Sequence, residues 1–257
     1  MANWTHFYLI RIEFLGFRYS GWQKQPGVRT VHLMVDKTVE FVLQHTNFKT
    51  LGCGRTDAKV SADDYAFELF CMQELESDFL ERLNQCFPSD IKALSIEATN
   101  SDFNILQNQK VKEYHYHFCF GEKANPLSAP FIVNVQQNLN LERMQKGARV
   151  IQGTHNFRRF TSKPGEETQL EREIMVAEVL PSNKFQGNIF PKEVYMLRIK
   201  SKGFLRYQIR MLMGTLFALG SGEINETEYL EYFQNPEGDQ VRWIAPGSGL
   251  CLHKVVF

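Results

Sequence analysis

Apolar and polar residues alternate over residues 6–14, placing Tyr8, Ile10, Ile12 and Phe14 on one face, which predicts a half-buried strand. From Val31 the period lengthens: Val31, Met34, Val35, Thr38, Val39 and Val42 recur at steps of three and four, the stripe of an amphipathic helix. Thr30 is its expected N-cap. A second helix is expected after Ser77, with Leu80, Leu83 and Phe87 inward and Pro88 as its stop. Short strands follow at about 91–97 and 112–120. Beyond them the pattern predicts a helix over 141–151 that closes on Gly153, and strands near 173–180 and 193–201. A long apolar helix comes next near 206–220, then a short helix after Asn225 and a last strand over 250–256.

Each half of the chain therefore holds helices and several short strands, without the strict alternation of a doubly wound sheet. The expected class is α+β: two α/β subdomains with mainly antiparallel sheets flanked by helices. The polar stretch 100–112 is the expected boundary, giving an N-terminal domain over 1–107 and a C-terminal domain over 108–257. The halves resemble each other only in element order.

Composition narrows the picture. Lys plus Arg equals Asp plus Glu at 29 each, so a whole-chain basic excess, the usual footprint of nucleic-acid binding, is missing. Charge is uneven, however. Residues 194–222 hold no acid but carry Arg198, Lys200, Lys202, Arg206 and Arg210. Residues 143–165 also lack acids and carry six Lys or Arg, Arg158 among them. In a third set, Arg18, Lys24 and Arg29 interleave with Phe17, Tyr19 and Trp22. Such stretches suit phosphate contacts; a solvated face explains any one of them nearly as well, and the three together favour phosphate contacts. The 21 Phe fit packed sheets and base-stacking surfaces alike.

Five cysteines lie scattered with no C-x-x-C pair, which points to a reducing compartment rather than a disulfide framework or a zinc ribbon. The opening MANWTHFYLIRIEF reads as a strand rather than a signal peptide, and no run approaches the roughly 20 apolar residues of a membrane span. The expectation is a cytoplasmic protein without membrane association. His115 and His117, two apart on one strand face, have metal-like spacing but no evident partner, and no metal site is expected.

The most informative segment is 52–61, GCGRTDAKVS. Its glycines allow a backbone to approach a ligand closely, and a carboxylate just after such a turn, near a basic residue, is set for nucleophilic work. On local chemistry alone Asp57 is a candidate and no more. A carboxylate hydrolase of small substrates would need a second catalytic carboxylate or a metal cluster, and neither is legible.

The longer string, Gly54, Arg55, Thr56, Asp57, Ala58, Val60 and Ala62, resembles the G-R-T-D-A-x-V-x-A signature of the TruA family of tRNA pseudouridine synthases. Three further segments match that family in order: FLGFRYSGWQKQPGVRTV, KEYHYHF and KGFLRYQIRMLMGTL. Smaller echoes are GTHNFRRF, Arg172 within EREIMVAEV, and APGSGLCLHKV. The resemblance covers almost the whole chain. It implies a pseudouridine synthase-like fold with its active-site cleft between the two subdomains, and an isomerase that needs neither cofactor nor metal. It implies tRNA as partner, commonly at the anticodon stem-loop, and a homodimer. By the same resemblance Asp57 is the catalytic carboxylate, acting at C1′ or C6 of the target uridine. Arg210 is its ionic partner, and Tyr114 stacks on the flipped base or takes part in proton transfer. Arg55, Trp22, Gln23, Lys24, Arg158, Lys202 and Arg206 are the expected RNA contacts, and His155 is structural.

The chain departs from the family pattern in two places. Lys59 and Ser61 stand where Gly and His are usual, and residues 104–109, NILQNQ, replace a more basic stretch. Asp63 and Asp64 add negative charge nearby. Retained catalysis with altered substrate contacts is expected.

Overall fold

A computed structural model describes residues 4–257. The strands are β1 (His6–Phe14), β2 (Phe48–Gly52), β3 (Ser61–Cys71), β4 (Ile91–Ala98), β5 (Val111–Phe120), β6 (Val133–Val135), β7 (Gly153–Asn156), β8 (Glu171–Pro181), β9 (Tyr195–Ser201) and β10 (Leu250–Val256). The helices are α1 (Val31–Leu43), α2 (Phe79–Cys86), α3 (Leu141–Ile151), α4 (Gln208–Ser221) and α5 (Glu226–Gln234). The class is α+β with mainly antiparallel pairing. No helix among the described residues is long and apolar enough to cross a membrane.

The chain forms two compact units. The first runs to Lys110 and takes in Leu252–Phe257, and the second is Val111–Cys251. This differs from the sequence division, which ended the first domain at 107 and left the last residues with the second. The last strand hydrogen-bonds beside β3. A strand joins the partner that satisfies its ladder, whatever its distance in sequence.

In the first unit the strand order is β4-β1-β3-β10, with β2 also paired to β3. β1 and β3 run antiparallel with Ile10 opposite Phe67 and Ile12 opposite Tyr65, so the alternating face of β1 meets an aromatic face of β3. Tyr8, Ile10, Ile12 and Phe14 are all buried, as alternation predicts. α1 begins at an N-cap Thr30 whose Oγ1 accepts from the Leu33 N–H, and it buries Val31, Val35, Thr38, Val39 and Val42. α2 starts one residue later than the pattern suggests and turns Phe79, Leu83 and Phe87 inward. Leu80 is only half-buried, because a four-residue step from Phe79 defines the contact line.

In the second unit the order is β5-β9-β8-β7, with β6 parallel to β5. α3 is capped by Asn140, whose side chain accepts from the Arg143 N–H, and α5 by a full capping box between Asn225 and Glu228. Gly147 lets α3 approach α4 closely: a methyl group there would lie 2.7 Å from Leu219 and 2.9 Å from Leu216. α4 is buried along most of its length and ends at Gly222, φ 79°, where glycine is the favoured stop.

Candidate active site

In the first unit, residues 53–60 form the loop from β2 into β3, on which Asp57 is part-exposed and Arg55 is exposed. Its path is set from below. The Cys53 N–H bonds to Ala66 O at 2.9 Å, the Trp22 N–H to Thr56 O at 3.3 Å, and the Tyr65 hydroxyl donates to Gly54 O at 2.5 Å. Gly21, φ 85°, lies against the carbonyl of Thr56, where a Cβ would collide with that oxygen. The G-W-Q segment thus supports the loop from its backbone.

Trp22 itself corrects an expectation. Its ring is 2% exposed, stacked on Tyr65 at 4.1 Å and on His32 at 5.0 Å, so it is core rather than an RNA-stacking surface. Lys24 is exposed and paired with Asp36, and Gln23 is half-buried.

The two departures in the loop have local explanations. Lys59 adopts φ 67°, the left-handed conformation that glycine takes at least cost, and its ammonium lies 5.4 Å from the Phe17 ring. The Ser61 hydroxyl accepts from the Gly16 N–H at 2.9 Å, tying the loop's exit to the end of β1. Asp64 is held by Arg11 at 2.7 Å, and Asp63 lies 3.0 Å from His253, so these carboxylates are engaged within the sheet. Residues 104–109 form a polar turn. Asn104 Oδ1 accepts from the amides of Leu106 and Gln107, while Gln109 donates to the carbonyls of Ile105 and Cys53.

In the second unit, Tyr114 lies on β5 opposite Ile199, is buried, and is met edge-on by Phe204 at 5.4 Å. Phe204 belongs to the turn that leads into α4. Ser201 pins that turn to β8, its Oγ donating to Glu173 O at 2.8 Å and accepting from the Gly203 amide at 3.3 Å. Leu205 N–H then bonds to the side-chain oxygen of the fully buried Gln208 at 2.8 Å. The helix starts after Tyr207, a non-glycine residue at φ 62°, a conformation that concentrates at functional sites. Arg210 sits in the first turn, half-buried. Its Nε donates to Ala245 O at 2.8 Å and its guanidinium lies 5.0 Å from the Tyr207 ring. One short segment, 203–210, therefore carries both the ring against Tyr114 and the arginine.

The basic runs fare unequally. Arg198 and Lys200 bind Glu113 at 2.7 and 2.9 Å, Arg158 reaches Glu237 at 3.3 Å, and Arg159 is buried on backbone carbonyls. Runs that lack acids in sequence receive them from other elements. Among the described residues Arg55, Lys202 and Arg206 are exposed with no acidic partner, Arg206 lying 5.1 Å from the Tyr207 ring. His155 packs against Phe157 and Phe233. Tyr65, which no motif singles out, is the addition the structure makes. A fully buried tyrosine needs a partner for its hydroxyl, but the burial of Tyr65, on a strand without alternation, leaves no signal in the sequence.

The family described as tRNA pseudouridine synthase matches residues 148–257. The tRNA pseudouridine synthase A of Aquifex aeolicus is 31% identical over 97% of this chain and 98% of its own length. The tRNA pseudouridine synthase A 2 of Bacillus cereus is 27% identical over 98% of this chain and all of its own, and the Thermodesulfovibrio yellowstonii enzyme 27% over 96% and 97%. The chain belongs to the TruA family of pseudouridine synthases.

Proposed function

We propose that this protein converts uridines of tRNA to pseudouridine, with Asp57 as the catalytic carboxylate. The observation that carries the reading is the intact Gly54, Arg55, Thr56, Asp57, Ala58 motif on a loop whose flanking carbonyls are fixed while Asp57 itself stays part-exposed. The reaction breaks the N1–C1′ bond, turns the base and joins C5 to C1′; the C5 proton leaves and N1 regains one. It is an isomerisation without change of oxidation state. Attack by the carboxylate at C1′ and attack at C6 both require it ionised and shielded from water.

A carboxylate in that condition needs a cation, and in this reading Arg210 supplies it. Its location supports the role. A cation in the first turn of α4, which holds no acidic residue, lies at the positive end of the helix, and a carboxylate facing it offsets that arrangement. The Nε bond to Ala245 fixes the plane of the guanidinium. Tyr114 stacks on the flipped uracil or moves the C5 proton, with Phe204 setting the tilt of its ring. Arg55, Lys202 and Arg206 contact tRNA phosphates, and the anticodon stem-loop is the site of action of a cytoplasmic homodimer. The test is tritium release from tRNA labelled at uridine C5. Release from a full tRNA pool is expected, and its absence across the pool overturns the reading.

A further inference from the structure

We infer that Tyr65, in the core of the first unit, is a positioning residue for the loop that carries Asp57. The inference rests on the reading of Asp57 as the reacting carboxylate. Tyr65 is fully buried on β3 and points its hydroxyl at Gly54 O, three residues before Asp57, at 2.5 Å. Phe14 holds its ring edge-on at 5.7 Å and Trp22 stacks on it at 4.1 Å, so the phenol has little freedom to follow a moving loop. Gly52 completes the seat: a Cβ there would strike both the Tyr65 hydroxyl and the Trp22 indole nitrogen. The same Trp22 binds Thr56 O through its own amide at 3.3 Å.

The carbonyls at 54 and 56 are thus fastened by two stacked rings and their backbone. A carbonyl fixed three residues before the reacting group restricts where its carboxylate stands, and small displacements of a reacting group are costly in rate. A tyrosine that only fills the core would give its hydroxyl any nearby acceptor, and its loss would lower stability without touching turnover. The two roles separate in the kinetics.

The experiment compares wild type, Tyr65→Phe and Asp57→Ala for single-turnover pseudouridine formation on a tRNA pool and for tRNA binding, with thermal melting in parallel. Tyr65→Phe keeps the stack and removes the hydroxyl that bonds Gly54 O. The rate is expected to fall about tenfold while tRNA affinity stays within about twofold. Gly52→Ala, which pushes the hydroxyl from its seat by another route, is expected to show the same split. A Tyr65→Phe protein that melts earlier yet turns over at the wild-type rate overturns the inference and leaves the function intact. A wild-type protein that modifies no tRNA uridine sinks both.

Discussion

Arg210 and Ala245 hold each other through a reciprocal pair: the arginine Nε donates to Ala245 O at 2.8 Å, and the Ala245 amide donates to Arg210 O at 2.9 Å. The irregular segment that brings Ala245 there passes α4 at Gly214, one turn beyond Arg210, where a Cβ would lie 2.8 Å from the backbone of Trp243. The segment is tethered again upstream, with the Val241 N–H on Arg159 O at 3.0 Å and the Arg159 guanidinium on Asp239 O at 2.7 Å.

Gly214→Ala should therefore force Trp243 and Ala245 away from the helix and release the guanidinium. The expected cost is about 1–3 kcal/mol in urea unfolding, the usual penalty of overpacking. A fall in turnover greater than that of tRNA affinity should accompany it. Unchanged turnover in the folded variant would separate Ala245 from the function of Arg210.

Lys59 offers a test of the loop that carries Asp57 without changing that carboxylate. At φ 67° a β-branched residue is a steric outlier, so Lys59→Val should lose about 1–2 kcal/mol. Lys59→Gly should gain up to about 1 kcal/mol, since glycine meets that angle without strain. Equilibrium denaturation of the pair gives the sign directly.

Two carboxyls should pull acid stability in opposite directions. Burial would raise Glu113, but hydrogen bonds from Lys200, Arg198 and His115 outweigh it and hold the carboxyl at about 2. Its contribution is present above the ordinary carboxylate range and fades as pH falls toward about 2. Burial raises Glu68, only partly countered by a backbone hydrogen bond from Ile105 and by Lys49. A raised carboxyl favours the protonated fold, so its contribution is lost as pH climbs through the carboxylate range. Glu113→Gln should destabilise most at neutral pH, and Glu68→Gln should stabilise there. Urea unfolding from pH 3 to pH 7 (roughly the span over which ordinary carboxylates titrate) distinguishes the two.

Exposed cations without acidic partners should carry the salt dependence of tRNA binding. Removing Arg55, Lys202 or Arg206 singly should weaken binding and reduce the slope of log affinity against log salt by about one. Arg18, engaged by Asp90 at 2.6 Å, should matter less when changed to Ala. Equal effects at all four positions would contradict this distinction.

Much of the fold was legible because β1, α1 and α3 bury one face, leaving clear periods in the chain, while α4 shows as a long apolar run. β3 was not: Tyr65, Ala66, Phe67, Glu68 and Leu69 are all buried, so alternation vanishes, and one of the five is a carboxylate. β2, β6 and β7 are too short to show a period. The loop of Asp57 was readable as a string, and the left-handed angle at Lys59 could be anticipated from the glycine usual there. Trp22 could not be placed, because an aromatic among basic residues looks the same whether it faces RNA or stacks on Tyr65. The acid-free runs misled for a related reason: Glu113 reaches Arg198 across 85 residues.

The most direct test of the central claim is tritium release from C5-labelled tRNA by wild type and Asp57→Ala, with tRNA binding measured on the same preparations. The account predicts release by the wild type, none by the variant, and binding retained by both. An Asp57→Ala protein that binds tRNA and still releases tritium at the wild-type rate would contradict it.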